Sequence, residues 1–516
     1  MLPERQASFN EPLIFEKSKK GRSGNFLPPA GGNLAEHVKR AREKLWTSGL
    51  LREKPLDLPE ISELEVLRHF TRLAQMNFGI NSGFYPLGSC TMKYNPVVNE
   101  LLTSLPAVTD VHPDQPESTV QGYLHIYYHV QEWIGAIMGL PAVSLQPAAG
   151  AHGEFAGLLI MRTYHKDQGE LGKRTEILVP DTAHGTNPAS AAMAGFKVVV
   201  LPSNKIGCES EDALLGCLDE EALTEAVSEH TAGFMLTNPS TLGTFEPNIV
   251  EISKIVHEAG GLLYYDGANL NSILGITRPG DMGFDIAHVN LHKTFSTPHG
   301  GGGPGAGAVC VTENLKDYLP VPIAAKRQDS SYYLDYNLSK SIGKLKGYFG
   351  NSAIVARAYL YIYMMGEAGL RKAAQMAVLN ANYLAKKITS STPLTLPYTT
   401  EGLVKHEMVL SASKLKKETG VSALDISKGL LDNYVHPPTI YFPQLVEEAL
   451  MIEPTDTETK ETLDNYARIL EDICKKAETV PEEIIGAPHN TPVARIDEVM
   501  AARNPVLSYR MKKTDK

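Results

Sequence analysis

The stretch Ala287-His288-Val289-Asn290-Leu291-His292-Lys293-Thr294-Phe295 decides the fold of this chain. It begins as an apolar, strand-like run, ends on His-Lys and opens into a glycine-rich loop at residues 299–307. Upstream, the apolar run Gly261-Leu262-Leu263-Tyr264-Tyr265 ends on Asp266. Short apolar runs that stop at polar residues are typical of buried strands in a parallel sheet, whose ligands bind beyond the carboxyl ends of the strands.

The middle of the chain repeats this pattern. Between about residues 123 and 312, short apolar runs alternate with helical stretches, which indicates an α/β fold with a mostly parallel sheet and crossover helices. The expected strands are residues 177–179, 197–201, 233–236, 261–265, 286–291 and 307–311.

Three domains are expected in a chain of 516 residues, which is longer than one core usually serves. Residues 1–122 are rich in turn signals, with helical patterning at 34–46 and 63–76, and are predicted to form an N-terminal arm or helical extension. Residues 123–350 would form the large α/β domain. Residues 351–516, which read as helical, then mixed, then helical again, would form a smaller C-terminal α+β domain.

Composition and charge argue against several classes of protein. A net charge of −10 and an isoelectric point near 5.9 argue against binding to nucleic acid, which normally requires a basic face. The five cysteines are scattered and form no CxxC pair, so neither a disulfide framework nor a metal site is expected. The sequence shows no secretory signal and no run of about 18 apolar residues, so we expect no membrane segment and a cytoplasmic location.

Lys293 and Asp266 together suggest the chemistry of pyridoxal phosphate. A lysine amine holds that cofactor covalently through its aldehyde, and a carboxylate keeps the pyridine nitrogen protonated so that the ring withdraws electrons. Each residue alone is weak evidence, because polar residues at strand ends usually just face water. The loops at four strand ends make the pair more informative.

Two of these loops offer groups for a phosphate and for a flat ring. Residues 146–154 include several small residues and lead into a helical stretch, so backbone amides at the helix N-terminus can approach a phosphate, although a plain turn is an equal alternative. Residues 180–188 follow the strand at 177–179 and place His184 over the crevice, where its ring can stack on a cofactor. A hydrogen-bonded structural histidine is the alternative.

The other two loops offer hydroxyls, a carboxylate and an amide. Residues 237–241 follow the strand at 233–236 and supply hydroxyls for the phenolate oxygen of the cofactor. After Asp266, Ala268 is small enough to lie beneath the ring, and the amide of Asn269 is within reach of the phenolate or the substrate. Four loops with compatible chemistry favour a pyridoxal phosphate site.

A glycine motif in the same region points to a different cofactor. Gly300, Gly302 and Gly305 satisfy G-x-G-x-x-G, the dinucleotide fingerprint, but no strand precedes them and no acidic ribose ligand follows about 20 residues later. We therefore expect these glycines to give backbone freedom beside Lys293, with His299 as a polar contact.

Several segments resemble the P-protein family of the glycine cleavage system, the pyridoxal-phosphate glycine decarboxylase. The resemblance runs over nearly the whole chain, and the blocks at residues 88–93 (Gly-Ser-Cys-Thr-Met-Lys) and 292–295 (His-Lys-Thr-Phe) are specific to that family. The other matching segments are residues 13–16, 83–87, 149–154, 184–188, 290–291, 299–305 and 453–455. The implied fold is pyridoxal-phosphate fold type I, which is aspartate-aminotransferase-like. The length matches the separate subunit 2 of the family, whose companion subunit 1 lacks the cofactor lysine.

The resemblance implies roles for individual residues. Lys293 would hold pyridoxal 5'-phosphate covalently, Asp266 would pair with its pyridine nitrogen, and His184 would stack on its ring. Gly150 and Ala151 would donate backbone amides to the phosphate. The other expected cofactor contacts are Thr241, Ala268, Asn269 and His292.

The candidate substrate contacts are Tyr85, Cys90, Lys93 and His299. A purely structural loop is an equal alternative for residues 85–93. A packing role is preferred for Cys90, because carbanion chemistry requires no protein thiol.

The activity implied by the resemblance is decarboxylation of glycine, with release of CO2 and transfer of the aminomethyl group to the lipoyl arm of H-protein. The implied partners are subunit 1, in an α2β2 heterotetramer, and lipoylated H-protein. Another fold type I enzyme, such as an aldolase or a different amino-acid decarboxylase, remains an alternative. A scaffold subunit that docks H-protein is a second alternative, against which the presence of Lys293 argues.

Overall fold

Two structural units divide the chain: Met1–Ser82 together with Ala487–Lys516, and Gly83–Gly486. The computed structural model describes residues 9–24, 31–52, 54, 56–204, 214–300 and 305–509. Cys208 and Gly302 therefore lie outside the described residues. The sequence-based domain boundaries after residues 122 and 350 stay predictions.

Helices make up most of the regular structure in the described residues. The helices are α1 (Gly32–Thr47), α2 (Glu63–Gln75), α3 (Val97–Thr103), α4 (Pro106–Thr109), α5 (Gln121–Met138), α6 (Gly150–Asp167), α7 (Thr186–Met193), α8 (Glu220–Ala226), α9 (Ile249–Glu258), α10 (Leu291–Thr294), α11 (Ser352–Ser391), α12 (Ser413–Thr419), α13 (Ala423–Asp432), α14 (Lys460–Thr479), α15 (Pro481–Ile485) and α16 (Glu498–Arg503). Short 3-10 turns lie at Glu117–Thr119, Leu270–Ser272, Pro279–Met282 and Glu313–Tyr318.

The strands form one large sheet and two small ones. The strands are β1 (Ala142–Ser144), β2 (Glu176–Pro180), β3 (Lys197–Leu201), β4 (Thr231–Thr237), β5 (Leu262–Gly267), β6 (Ile286–Asn290), β7 (Gly307–Val311), β8 (Ile323–Lys326), β9 (Tyr332–Asp335), β10 (Met408–Ser411), β11 (Thr439–Ile440) and β12 (Ala449–Ile452). The large sheet has seven strands in the order β1-β7-β6-β5-β4-β2-β3.

The predicted mostly parallel sheet is confirmed. Strands β3, β2, β4, β5 and β6 pair in parallel, whereas β7 pairs antiparallel with both β6 and β1. Strand β1 was not among the expected strands, because its three residues are too few for an apolar run to stand out. The strand at 286–291 ends one residue earlier than expected, at Asn290.

Helices cover both faces of the large sheet, and this explains its apolar strands. Tyr265 and Phe234 point to the face covered by α5 and α11, whereas Tyr264 and Met235 point to the face covered by α6. Strands β4 and β5 are buried along their whole length. A parallel sheet buried on both faces requires continuous apolar runs of this kind.

The segment after the large sheet is helical and then α+β. Helix α11 consists of two helical stretches joined at Gly366, whose φ of 57° and ψ of −177° break the helix. The three-stranded antiparallel sheet β10-β12-β11 then packs with α12, α13 and α14 around a second apolar core. Leu410, Ile452 and Leu470 are fully buried in that core.

The first unit is organised around a buried carboxylate. Glu11 accepts hydrogen bonds from His69 Nδ1 at 2.9 Å and Arg72 Nη1 at 3.3 Å, and also pairs with Lys17. These partners, Lys17 first, lower the pKa of Glu11 to about 2. Helix α2 in the same unit begins with a capping box formed by Ser62.

The cysteines and the helices bear on the expected absence of a disulfide framework and of a membrane segment. The four cysteines among them, Cys90, Cys217, Cys310 and Cys474, are free thiols. None of the helices in the described ranges is both long enough and apolar enough to span a bilayer.

Candidate active site

A cavity of about 220 Å³ opens where the strands of the large sheet end. It lies beyond the carboxyl ends of β4, β5 and β6, where open α/β sheets bind their ligands. Its lining comprises Ser89, Ala149, Gly150, Ala151, Glu154, His184, Thr186, Thr237, Thr241, Asp266, Ala268, Asn269, His288, Asn290, His292 and Lys293. All nine residues expected to contact a cofactor are in this lining. Their individual roles stay predictions.

Asp266 lies near the end of β5 and is held as a carboxylate. Its side chain is almost fully buried, and it accepts hydrogen bonds from Asn187 Nδ2 and the Ala268 amide, each at 2.9 Å. His288 Nε2 lies 3.3 Å from Asp266 Oδ1. Burial alone would raise the pKa of Asp266, but His288 and the two donors outweigh it and keep the pKa below its ordinary value.

Lys293 lies one turn beyond the strand rather than on it. Strand β6 ends at Asn290, and the short helix α10 places Lys293 at the cavity wall, where only 9% of the residue is exposed. Its amine donates a hydrogen bond to the Ser89 carbonyl at 2.5 Å. The single amine in this lining therefore faces the same cavity as Asp266.

The N-terminus of α6 provides a place for an anion. Helix α6 has 18 residues, and Ala149, which precedes it, contributes no capping side chain to the first amides. A Cβ at Gly150 would lie 2.3 Å from Asn290 Oδ1, so only glycine allows this close approach. Asn290 Oδ1 and Thr237 Oγ1 are buried without a hydrogen-bond partner. Free amides and unpaired polar atoms around one cavity fit a phosphate-bearing cofactor.

His184 reaches the cavity from the loop after β2. Its ring makes an edge contact with Phe442, with centroids 5.5 Å apart, and burial lowers its pKa below the ordinary value. The neutral, flat ring that results fits the predicted stacking role, and the hydrogen bonds on its Nδ1 also make it a structural histidine.

The remaining predicted cofactor residues already have partners within the chain. Thr241 donates its hydroxyl to the Thr182 carbonyl at 2.7 Å, and the Asn269 amide donates to the Pro239 carbonyl at 3.0 Å. His292 Nδ1 lies 3.1 Å from the Ala306 carbonyl oxygen. Contact between these side chains and a cofactor would have to share or replace these hydrogen bonds.

None of the four candidate substrate residues is among the described residues that line the cavity. Tyr85 stacks on His436, with ring centroids 3.7 Å apart. Cys90 is half-buried, and burial raises the pKa of its thiol, which agrees with the preferred packing role. The ring of His299 lies 5.4 Å from that of His292.

Lys93, the fourth candidate, is engaged in a buried network. Its amine lies 3.4 Å from Asp456 Oδ1 and donates to the Thr294 carbonyl at 3.0 Å and to Asn271 Oδ1 at 3.2 Å. Direct contact of Lys93 with a substrate stays a prediction that this geometry does not support.

Several residues in and around the site were not identified from the sequence as functional residues. Among them are Ser89, Glu154, His288, Glu407 and Glu453. Glu407 accepts from the Ser89 amide at 2.9 Å, and Glu453 accepts from the Thr91 amide at 3.1 Å. The sequence gives no indication of what Glu407 and Glu453 bind, because their partners lie more than 300 residues away. His288 could have been noticed as a polar residue inside an apolar run.

Comparisons with known proteins identify the family of this chain. The family model described as "Glycine cleavage system P-protein" matches residues 35–340, and a model described as "Glycine dehydrogenase, C-terminal domain" matches residues 373–493. A protein of Pyrococcus horikoshii named "Probable glycine dehydrogenase (decarboxylating) subunit 2" is 57% identical over 510 residues, which cover 99% of this chain and 98% of that protein.

The chain belongs to the glycine cleavage system P-protein family. The resemblance recognised in the sequence is thereby confirmed. Membership of the P-protein family with the subunit 2 relatives also implies a partner subunit.

Solved structures show that the fold of this P-protein family member is pyridoxal-phosphate fold type I, as predicted. A crystal structure of glycine decarboxylase (P-protein) of the glycine cleavage system, in inhibitor-bound form, matches with a TM-score of 0.68 and 20% identity. The match covers 87% of this chain and 99% of that chain. A structure of Oryza sativa TDC with PLP and tryptamine matches with a TM-score of 0.61 and 11% identity, covering 88% and 99% of the two chains.

Proposed function

We propose that this chain decarboxylates glycine with pyridoxal phosphate and passes the aminomethyl group to the lipoyl arm of H-protein, with release of CO2. One observation carries the proposal: Lys293 and Asp266 face a single cavity at the carboxyl edge of the sheet, in a chain of the P-protein family. The cofactor, which the family and the fold imply, supplies an electron sink for the carbanion that remains when CO2 leaves.

The residues of the chain support that chemistry in different ways. The Lys293 amine would hold the cofactor covalently, and the buried Asp266 carboxylate would favour a proton on the pyridine nitrogen. The first amides of α6, at Gly150 and Ala151, would bind the phosphate. The neutral ring of His184 would lie against the flat face of the cofactor.

The loop that contains Ser89 would close the substrate side of the cavity. Its backbone carbonyl meets the Lys293 amine at 2.5 Å, and its amide is fixed by the buried Glu407. A fixed loop at this point would limit the entry of water, which would otherwise protonate a carbanion before transfer.

The proposed partners of the chain are a second subunit and lipoylated H-protein. The family implies a partner subunit, and we extend this to an α2β2 heterotetramer with subunit 1 that docks lipoylated H-protein. The lipoyl group belongs to that partner and is a substrate here. The cytoplasmic location stays a prediction from the sequence.

A different fold type I reaction is the main alternative. The structural match to Oryza sativa TDC shows that the same fold occurs in a protein solved with PLP and tryptamine. The fold alone therefore does not select glycine as the substrate.

The test is the release of labelled CO2 from carboxyl-labelled glycine by the chain with its partner subunit, pyridoxal phosphate and lipoylated H-protein. Release should require glycine and Lys293, so Lys293→Ala should reduce it to background. Lys254→Ala, which alters an exposed lysine on α9, is the matched control and should leave it unchanged. Release from other amino acids at an equal rate, or release that persists in Lys293→Ala, would contradict the proposal.

A further inference from the structure

A chain of short hydrogen bonds connects Glu154, on the first turns of α6, to His184. Glu154 Oε1 lies 2.8 Å from Thr186 Oγ1, and Thr186 Oγ1 lies 2.9 Å from His184 Nδ1. The Thr186 backbone amide also points at His184 Nδ1, at 3.2 Å. Glu154 is 3% exposed, whereas Thr186 and His184 are half-buried at the cavity wall.

The number of protons available to Glu154, Thr186 and His184 determines which group donates in each of these hydrogen bonds. The amide N–H of Thr186 can only donate, so His184 Nδ1 must be an acceptor. Nδ1 has one lone pair, and the Thr186 hydroxyl lies closer to it than the amide does, at 2.9 Å against 3.2 Å. Because two acceptors avoid so close an approach, we assign the one hydroxyl proton to this contact, where it shares the lone pair with the amide. The hydroxyl has none left for Glu154, so the carboxyl group of Glu154 must be the donor in the third contact.

We propose that Glu154 is a positioning residue that carries a proton and, through the Thr186 hydroxyl, holds His184 as the neutral tautomer with its proton on Nε2. Glu154 Oε2 is then free to accept the hydrogen bond from Ser190 Oγ, at 3.1 Å. Both oxygens of the carboxyl group then have a hydrogen-bond partner.

The surroundings of Glu154 favour its protonated form. Burial, and then the charge of Asp266, raise the pKa of Glu154 to about 7. One carboxylate oxygen of Glu154, one of Asp266 and one ring nitrogen of His288 lie within 4.8 Å of one another. The other groups that face Glu154 are Thr186, Asn187 and Ser190 from α7 and Tyr264 from β5. Two carboxyl groups this close rarely both ionise, and Asp266 has the stronger donors.

The consequence is a defined donor inside the cavity. With Nδ1 fixed as an acceptor, Nε2 of His184 carries the single proton of the neutral ring. The use of this arrangement in the reaction rests on the proposed function. The tautomer itself does not, because it is set by residues of this chain alone.

The test is nitrogen NMR of the full-length chain with 15N-labelled histidine, recorded at pH 6.5 and 8.5. The His184 signals are assigned by their loss in His184→Gln, since the chain has 16 histidines. In the wild type, Nδ1 should have the shift of an unprotonated nitrogen at pH 6.5. It should move as pH passes about 7, because Glu154 loses its proton and the Thr186 hydroxyl turns towards the carboxylate.

Three variants separate this account from a merely structural role. In Glu154→Gln, the side-chain amide replaces the acid as donor, so Nδ1 should keep its acceptor shift at both pH values. In Thr186→Val the link is cut, and the pH-dependent movement should disappear. Ser190→Ala, which removes a contact of Glu154 that does not reach His184, should keep the movement.

Two results would overturn the inference. One is a protonated Nδ1 in the wild type at pH 6.5, and the other is a pH-dependent movement that persists in Glu154→Gln or Thr186→Val. Both readouts are independent of the cofactor and of glycine. The inference can therefore fail while CO2 release from glycine is still observed, or hold when it is not.

Discussion

Lys293 donates a hydrogen bond to the backbone carbonyl of Ser89, which lies 204 residues earlier in the chain. Ser89 and Thr91 have positive φ values of 64° and 46°, a conformation that costs non-glycine residues on the order of 1 kcal/mol. The buried carboxyl groups of Glu407 and Glu453 bind the amides of these two residues. Glu407 directly precedes strand β10, and Glu453 directly follows strand β12. The antiparallel sheet that contains these strands therefore fixes the position of the Ser89 loop beside Lys293.

The first prediction concerns the pH dependence of stability at Glu407. Burial, and then the nearby Glu453, raise the pKa of Glu407 to about 8 from an ordinary value of 4.5. Between these values the unfolded chain has released a proton that the folded chain keeps, so stability falls by up to about 1.4 kcal/mol per pH unit. Glu407→Gln cannot ionise, and its fall in stability between pH 5 and 8.5 should be smaller.

Urea midpoints at the two pH values measure this difference. The exposed Glu447→Gln should behave as the wild type does. Equal falls in Glu407→Gln and the wild type would show that Glu407 ionises normally in the folded protein.

The second prediction separates a structural from a substrate role of Lys93. Lys93→Met leaves Asp456 buried without its cation and should cost about 3–5 kcal/mol of stability. The double variant Lys93→Met with Asp456→Asn should recover most of that loss, because neither residue then carries an unpaired charge. Thermal and urea unfolding of the single and double variants measure the coupling.

Steady-state kinetics of the double variant decide between the two roles. A structural Lys93 predicts a KM for glycine close to that of the wild type once stability is restored. A KM that stays strongly raised would instead support the direct substrate contact expected from the sequence.

Much of the fold could be predicted because its signals are local. The apolar runs of β4, β5 and β6 lie on a sheet buried on both faces, so the strands can be recognised from the sequence. The polar residues Asp266, near the end of β5, and Lys293, just beyond β6, can be recognised with them. The residues that hold these two in place could not be recognised. His288 becomes a partner of Asp266 only because β6 pairs with β5.

The same limit applies to the environment of Lys93. The sequence left open whether Lys93 contacts the substrate or belongs to a structural loop, and the folded chain buries it beside Asp456, which is 363 residues away in sequence. Long-range pairing of this kind leaves no periodic pattern in the sequence. Burial of single polar residues is decided by tertiary packing.

The third prediction tests the phosphate site at α6. Gly150→Ala would place a methyl group 2.3 Å from Asn290 Oδ1 and displace that amide into the cavity. Affinity for pyridoxal phosphate should fall about 10-fold or more, a loss of about 1.4 kcal/mol. Fluorescence titration of the full chain with the cofactor measures it.

Gly122→Ala on α5 is the matched control, because nothing lies within 4 Å of its added methyl group. It should leave cofactor affinity unchanged. Wild-type affinity in Gly150→Ala would place the phosphate elsewhere.

The fourth prediction concerns the charge of Asp266. Asp266→Asn removes the carboxylate assigned to the pyridine nitrogen and should lower CO2 release from glycine by about 100-fold or more. It also removes a charge that raises the pKa of Glu154, so the pKa of Glu154 should fall and the NMR transition of His184 should move to lower pH. An unmoved transition would show that the two carboxyl groups are not coupled. Asp281→Asn, which alters an exposed aspartate, is the control for activity.

The most direct test of the central claim is the visible absorption spectrum of the chain with pyridoxal phosphate and its partner subunit, before and after addition of glycine. The wild type should show a band of lysine-bound cofactor that glycine alters, and Lys293→Ala should lack that band. A band that persists in Lys293→Ala, or one that ignores glycine but responds to another amino acid, would contradict the account.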